Sequence, residues 1–364
     1  MLYRARLIFR KLRTFYAKGR HQGYGPLQVF AKRLPSALLA KAYRRFTVWV
    51  NGRLVNPLIN RGRLKAFHAG SGKGLKDPFY LIVMPDTLHF LNPCMRLVVG
   101  QATIVLLHNG ARDWERAFLE ERYPGLPAVA LATVPGSSVN HGDVLNLLLE
   151  TSPGNFGVLD HDAYVFNPEI FADLSFAEGE LMLSYFYGYS TKAQIFFPYT
   201  HFLYFNRALM LDVMRRNRID CNHYKRPRQE ILEKLKAGGV EVEVALKDYH
   251  WFFDTLHLLY AVGYAEGLRV GFLDIDDDYA ILHVGRTSTS THTTKALTQV
   301  YIDLRFLELP CNRDLIEPYR AKITKCESSQ KLRVTLPPTK EVQEILKDVD
   351  TIVDRLESHG ALVE

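Results

Sequence analysis

The chain has 364 residues, 47% of them hydrophobic, which is enough for one large domain with additions or for two ordinary ones. Its four cysteines are far apart with no Cys-x-x-Cys spacing, which argues against a zinc site and a disulfide framework and fits a reducing, cytoplasmic setting. The net charge of +7 is unevenly held: residues 1–76 contain 18 Lys and Arg and no Asp or Glu, and the remainder carries 28 basic against 39 acidic residues.

Residues 1–45 read as helical with a break at Gly23 to Pro26. No apolar h-region opens the chain and no 18 apolar residues run together, so neither a signal peptide nor a membrane span is expected. Arg and Lys interleaved with Leu, Ile, Phe, Tyr and Trp over residues 1–76 suit an anionic membrane surface, a nucleic-acid arm, or packing on the protein itself. Phe46–Val50 reads as a β segment turned by Asn51-Gly52, with short β structure continuing to residue 67. Gly70-Ser71-Gly72-Lys73-Gly74 is not a phosphate loop, because it lacks Ser or Thr after the lysine and precedes a strand instead of following one.

From Phe79 the pattern becomes regular. Apolar runs at Tyr80–Met84, Ala102–Leu107, Ala128–Leu131 and Phe156–Leu159 predict central parallel strands covered on both faces. Helices are expected between them at Asp113–Tyr123 and Gly142–Glu150. This βαβ series predicts a doubly wound sheet with its ligand crevice at the carboxyl ends of the strands. Asp86, Asn109, Asp160 and Asp162 stand at those ends. Ile195–Phe197 and His201–Phe205 are further strand candidates whose aromatic residues are expected in the core, with His201 in a packing or surface role. His250–Ala265 is expected as a helix carrying Asp254, Arg269–Leu273 as a strand, Ala280–Gly285 as a short strand or turn, and Thr287–Thr294 as a mobile loop. Lys340–Leu356 has seven apolar positions at helical spacing.

Asp160-His161-Asp162 follows directly on a buried run, and two carboxylates there are hard ligands of the kind that hold Mg2+ or Mn2+. An ion held by so few protein groups completes its shell with water and nucleotide phosphates. For an isolated Asp-x-Asp a solvated loop is the better explanation, and Asp274-Ile275-Asp276 has the same pattern.

Three stretches between Tyr80 and Ser288 resemble the family 2 glycosyltransferases of GT-A fold. Asn146 in His141–Asn146, followed by Asp160-His161-Asp162, looks like the family's Asn-bearing helix and DxD motif. Phe253-Asp254-Thr255, followed by Val262-Gly263-Tyr264, is similar to the acidic base and the helix after it. His283-Val284-Gly285-Arg286-Thr287-Ser288 resembles the family's His-x-x-Gly-x-Ser. Met84-Pro85-Asp86 and His108-Asn109-Gly110 depart from the usual opening motifs.

The resemblance implies a GT-A nucleotide-diphospho-sugar transferase with a doubly wound mixed sheet over residues 77–308. A basic helical and β extension would precede it at 1–76, and a C-terminal extension ending in an amphipathic helix would follow at 309–364. It implies a hexosyltransferase-type enzyme using Mn2+ or Mg2+ and a nucleotide-sugar donor, with a glycan or lipid-linked acceptor, as in polysaccharide biosynthesis. Asp160, Asp162 and His283 would hold the metal, Asp86, Asn109, Asn146 and Asp160 would contact the donor, and Asp254 would be the base of an inverting transfer. The expected location is cytoplasmic, with peripheral contact at the inner face of the plasma membrane through residues 1–76. The rival readings are a nucleotidyltransferase or phosphohydrolase using the same metal site, and a non-catalytic protein whose basic arm holds nucleic acid. The leading reading requires no nucleic acid.

Overall fold

The computed structural model describes residues 34–172, 174–185, 187–190, 195–240, 253–273, 275, 280–284, 293–323 and 328–359. Two compact units divide the chain: a larger one, Val48–Leu282, and a smaller one made of Met1–Thr47 and His283–Glu364. The change of charge at Asp77 is therefore not a packing boundary, since the larger unit already begins at Val48.

Where short strands were expected at 46–67, the chain is helical. Helix α1 (Leu34–Val50) runs into a π-helical stretch (Asn51–Asn60) and then into α2 (Arg61–Ala69). The β-branched residues and the Asn-Gly pair favour a hairpin locally, but side-chain hydrogen bonds to another segment override that preference. Asn51 accepts from Val134 N–H at 3.0 Å and donates to Ser137 Oγ and Ser138 C=O. Asn60 accepts from Ala132 N–H at 2.7 Å and donates to Ala132 C=O at 2.9 Å and to Asn56 Oδ1 at 2.8 Å. The wider π turn, in which Arg61 N–H reaches Asn56 C=O, lets Asn51 and Asn56, five residues apart, face the same way.

The expected βαβ series is present in the larger unit: β1 (Phe79–Val83), α3 (Leu88–Val98), β2 (Ile104–His108), α4 (Asp113–Arg122), β3 (Ala128–Ala130), α5 (His141–Thr151) and β4 (Phe156–Leu159). After these come β5 (Ala163–Val165), β6 (Glu180–Ser184), β7 (Tyr187–Ser190), β8 (Ile195–Pro198), β9 (Phe202–Phe205), α6 (Arg207–Asn217), α7 (Gln229–Ala237), α8 (His257–Ala265) and β10 (Arg269–Phe272). The central sheet is mixed and seven-stranded, ordered β10-β6-β9-β4-β1-β2-β3. β1 pairs in parallel with both β2 and β4, and β9 is antiparallel to its neighbours β4 and β6. Strands β1, β2 and β4 are buried at every position, as their continuous apolar runs require.

Gly157 in β4 stands opposite Phe79 of β1, and a Cβ there would lie 2.2 Å from the Phe79 ring. That ring is packed against Phe171, Phe202 and Tyr204, with centroids at 5.0, 5.2 and 5.9 Å. Glycine lets the two strands pair without displacing the aromatic cluster.

β11 (Ile281–His283) pairs with β5 outside the central sheet. The smaller unit contains α9 (Thr293–Leu307), α10 (Ile316–Ile323), α11 (Ser329–Arg333) and α12 (Lys340–Ser358). All seven expected apolar positions of α12 are buried, and Thr339 caps its first turn by accepting from Val342 N–H. A cavity of about 470 Å³ in this unit is lined in part by Arg305 and Arg333, both paired with Asp350, and by Glu308, which accepts from Ser329. Among the described residues no helix is long and apolar enough to cross a membrane.

Candidate active site at the sheet switch point

Strand order reverses at β1: β2 and β3 lie on one side and β4 on the other. The loops leaving β1 and β4 therefore part in opposite directions, which opens a crevice at their carboxyl ends. Asp160 is the first residue beyond β4. Its cross-strand partner follows from the antiparallel register of β9, in which Leu159 faces Phe202 and so Asp160 faces His201. Asp160 N–H donates to His201 C=O at 3.0 Å, and the side chains meet at 3.3 Å between Asp160 Oδ2 and His201 Nδ1.

Burial would raise the Asp160 carboxyl, but the hydrogen bond from His201 and the nearby His141 imidazole outweigh it and hold it below the usual carboxylate range despite the opposing charge of Asp162. An ionised carboxylate beside an imidazole is a donor pair suited to a divalent first-row ion. His201, expected in a packing or surface role, is thus part of the site. Its link to Asp160 comes from strand register across some forty residues, which local sequence patterns do not encode.

Asp162 lies deeper than Asp160, with 2% of its surface exposed. Its charge reaches Cys94 on α3, whose thiol is pushed up first by burial and then by Asp162 and Asp160. Asp86, after β1, has a left-handed backbone with φ of 63°. Its carboxylate accepts from Arg112 Nη2 at 2.9 Å, and its N–H donates to Glu115 Oε1 at 2.7 Å. Glu115 is fully buried and also accepts from Arg112 N–H, so one carboxylate ties the loop after β1 to the start of α4. Asn109, after β2, has its amide engaged by the main chain of Val139 in both directions, at 2.7 and 2.9 Å.

Asn146 on α5 accepts from Cys221 N–H at 2.9 Å. Cys221 C=O in turn receives Leu256 N–H, and Tyr224 bridges antiparallel to Phe253. Asp254 therefore sits on a segment braced through Asn146. Its carboxylate accepts from Thr255 N–H at 2.9 Å and its carbonyl from His257 N–H at 3.0 Å. Residues 250–252 of the expected helix lie outside the described residues, and the helix begins at His257 because Leu256 is left-handed, with φ of 68°, while its side chain is buried. His283 ends β11 and is the first residue of the smaller unit. Gly285 to Ser288, the rest of the His-x-x-Gly-x-Ser pattern, lie outside the described residues, as do Asp274, Asp276 and most of the expected Thr287–Thr294 loop.

Mixed α/β topology with an acid–imidazole pair at the switch point makes this crevice the candidate ligand site of an α/β domain. Residues 59–210 match the family model described as the StrH glycosyltransferase N-terminal domain. That stretch, less than half of the chain, contains β1 to β4, Asp160, Asp162 and His201, and ends before Asp254 and His283. One similar solved structure is the mannosyltransferase PcManGT from Pyrobaculum calidifontis in complex with GDP-Man and Mn2+, at 11% identity. The alignment covers 81% of this chain and 94% of that one, with a TM-score of 0.31, too low to establish a shared fold. No curated protein matches the chain.

Proposed function

We propose that the protein is a GT-A-type glycosyltransferase that moves a sugar from a nucleotide-sugar donor to a glycan or lipid-linked acceptor. The observation carrying this reading is that the stretch similar to a glycosyltransferase domain includes the Asp160–His201 pair at the sheet switch point. In this reading Asp160, His201 and His283, all of ligand-forming type, hold Mn2+ or Mg2+ with Asp162 in support. The imidazoles favour Mn2+ over Mg2+, which prefers oxygen alone. A bound ion there would offset charge on the departing diphosphate.

Asp254 takes the proton of the acceptor hydroxyl as its oxygen forms a bond to the anomeric carbon and the bond from that carbon to the phosphate oxygen breaks. General-base assistance of this kind contributes about 10²- to 10⁴-fold. A single displacement inverts the anomeric configuration. Asn146 and Asn109 act as struts, one for the Asp254 segment and one for the loop before α5, and Asp86 with Arg112 borders the donor. The test is incubation with a panel of nucleotide sugars and Mn2+, with and without chelator. Chelator-sensitive release of nucleoside diphosphate, and a product of inverted anomeric configuration by NMR, are expected. Release of pyrophosphate from a nucleoside triphosphate, with no turnover of any sugar donor, overturns the reading in favour of nucleotidyl transfer.

A further inference from the structure

The helical stretch from Val48 to Ala69 has its polarity reversed up to Asn60, and beyond it Leu64 and Phe67 of α2 turn into the core. Its inward face includes Asn51, Asn56 and Asn60, all buried, two of them bonded to the main chain between residues 132 and 138. Its outward side chains include Val48 at 43% exposure, Trp49 at 55%, Leu54 at 45%, Leu58 at 76% and Ile59 at 44%. A helix that only covered a sheet would turn those residues inward, because burial of large apolar groups is its main source of stability. Up to Asn60 amides do the docking, and Val48, Trp49, Leu54, Leu58 and Ile59 face solvent. The exposed Arg53, Arg63 and Lys65 lie in the same stretch, and no acidic residue occurs before Asp77. Preceding turns of α1 also expose Leu39, Tyr43 and Phe46 alongside Lys41, Arg44 and Arg45.

We propose that the outward face of residues 48–65 is a docking surface for an anionic lipid membrane, lying in the plane of the interface. A protein partner would need acids matched point by point to these cations, whereas an anionic headgroup layer accepts basic residues wherever they fall and the acyl boundary accepts Trp and Leu. Bonding the inward amides to the 132–138 main chain holds this face outward in the folded protein. The inference is independent of the sugar-transfer reading, and its test uses no donor.

The full-length chain is sedimented with vesicles of phosphatidylcholine alone and with vesicles containing about one-third phosphatidylglycerol, at low and raised salt. The expected result is binding at least about tenfold stronger to the anionic vesicles, weakening with salt. The triple variant Trp49→Ser, Leu54→Ser, Leu58→Ser is expected to lose at least about tenfold of that binding. Its far-UV circular dichroism and unfolding midpoint are expected to match the parent, since the three side chains face outward. If the triple variant fails to fold, Lys65→Glu, an exposed charge reversal, serves instead and is expected to weaken binding to anionic vesicles only. No binding to anionic vesicles, binding unchanged by the variants, or a parent dimer that the triple substitution converts to monomer would each overturn the proposal.

Discussion

Gly157→Ala probes the packing that brings β4 and β9 together beside the site. The added Cβ would lie 2.2, 2.3 and 2.6 Å from three carbons of the Phe79 ring, against an ordinary contact of 3.4–4 Å. The ring, 1% exposed, must retreat by about 1 Å or more to restore van der Waals separation. Phe171, Phe202 and Tyr204 surround it, so the displacement passes into β9 rather than into solvent. Overpacking of this kind costs about 1–3 kcal/mol, less a few tenths of a kcal/mol that alanine recovers by restricting the unfolded chain. We expect a net loss of about 2 kcal/mol in urea unfolding. Because Phe202 adjoins His201, Mn2+ affinity is expected to fall as well. Phe79→Leu in the same background should relieve the overlap, so the double variant is expected to be more stable than the sum of the single effects by about 1 kcal/mol or more. A Gly157→Ala protein within about 0.5 kcal/mol of the parent, or strict additivity with Phe79→Leu, would refute the reasoning.

His201→Ala is expected to weaken Mn2+ binding at least about tenfold in calorimetric titration. Asp160 has a depressed carboxyl, so its ionised form survives as pH falls and is lost only on passing through that lowered value. Without the His201 donor the same loss is expected at higher pH, which moves the acid limb of metal binding upward. Asp254→Asn should retain donor binding and the hydrogen bond to Thr255 N–H, yet lose about 10²- to 10⁴-fold in transfer, as separate binding and turnover assays would show. His108 is pushed down from 6.5 to about 4, first by burial and then by Arg116. Its folded value is the lower one, so protonation favours the unfolded chain, and stability is expected to decline from pH 6.5 through pH 4, by roughly 3 kcal/mol over that window. Urea midpoints at pH 7 and 4.5 should differ less for His108→Leu than for the parent.

The parallel part of the sheet was readable because Tyr80–Met84, Ala102–Leu107 and Phe156–Leu159 are continuous apolar runs, and a strand buried on both faces carries that pattern locally; Ala128–Leu131, expected as a central strand, is instead the sheet edge, with Ala128 exposed. Helix α12 was equally plain from its 3.6-residue period. Residues 46–67 misled because the β-branched residues and the Asn51-Gly52 turn signal favour a hairpin locally, whereas the hydrogen bonds of Asn51 and Asn60 to the 132–138 main chain come from far along the sequence. Asp160 could be singled out from its place after β4, whereas His201 could not, since its role depends on the register of an antiparallel strand. The start of α8 shifted to His257 because a non-glycine residue, Leu256, takes a left-handed conformation that packing and the Cys221 carbonyl hold in place.

The insertion of β9 between β4 and β6 has a consequence for the order of assembly. Strands β1 to β4 can associate as soon as they are made, and Asp160 is then present at their edge. Its imidazole neighbour arrives only when a later stretch of chain turns back and runs against the direction of β4. A nascent chain that has not yet seated β9 thus carries Asp160 without its His201 partner, and the carboxyl then lacks the hydrogen bond that opposes the effect of burial. In the proposed reading, metal capture therefore waits on the seating of β9.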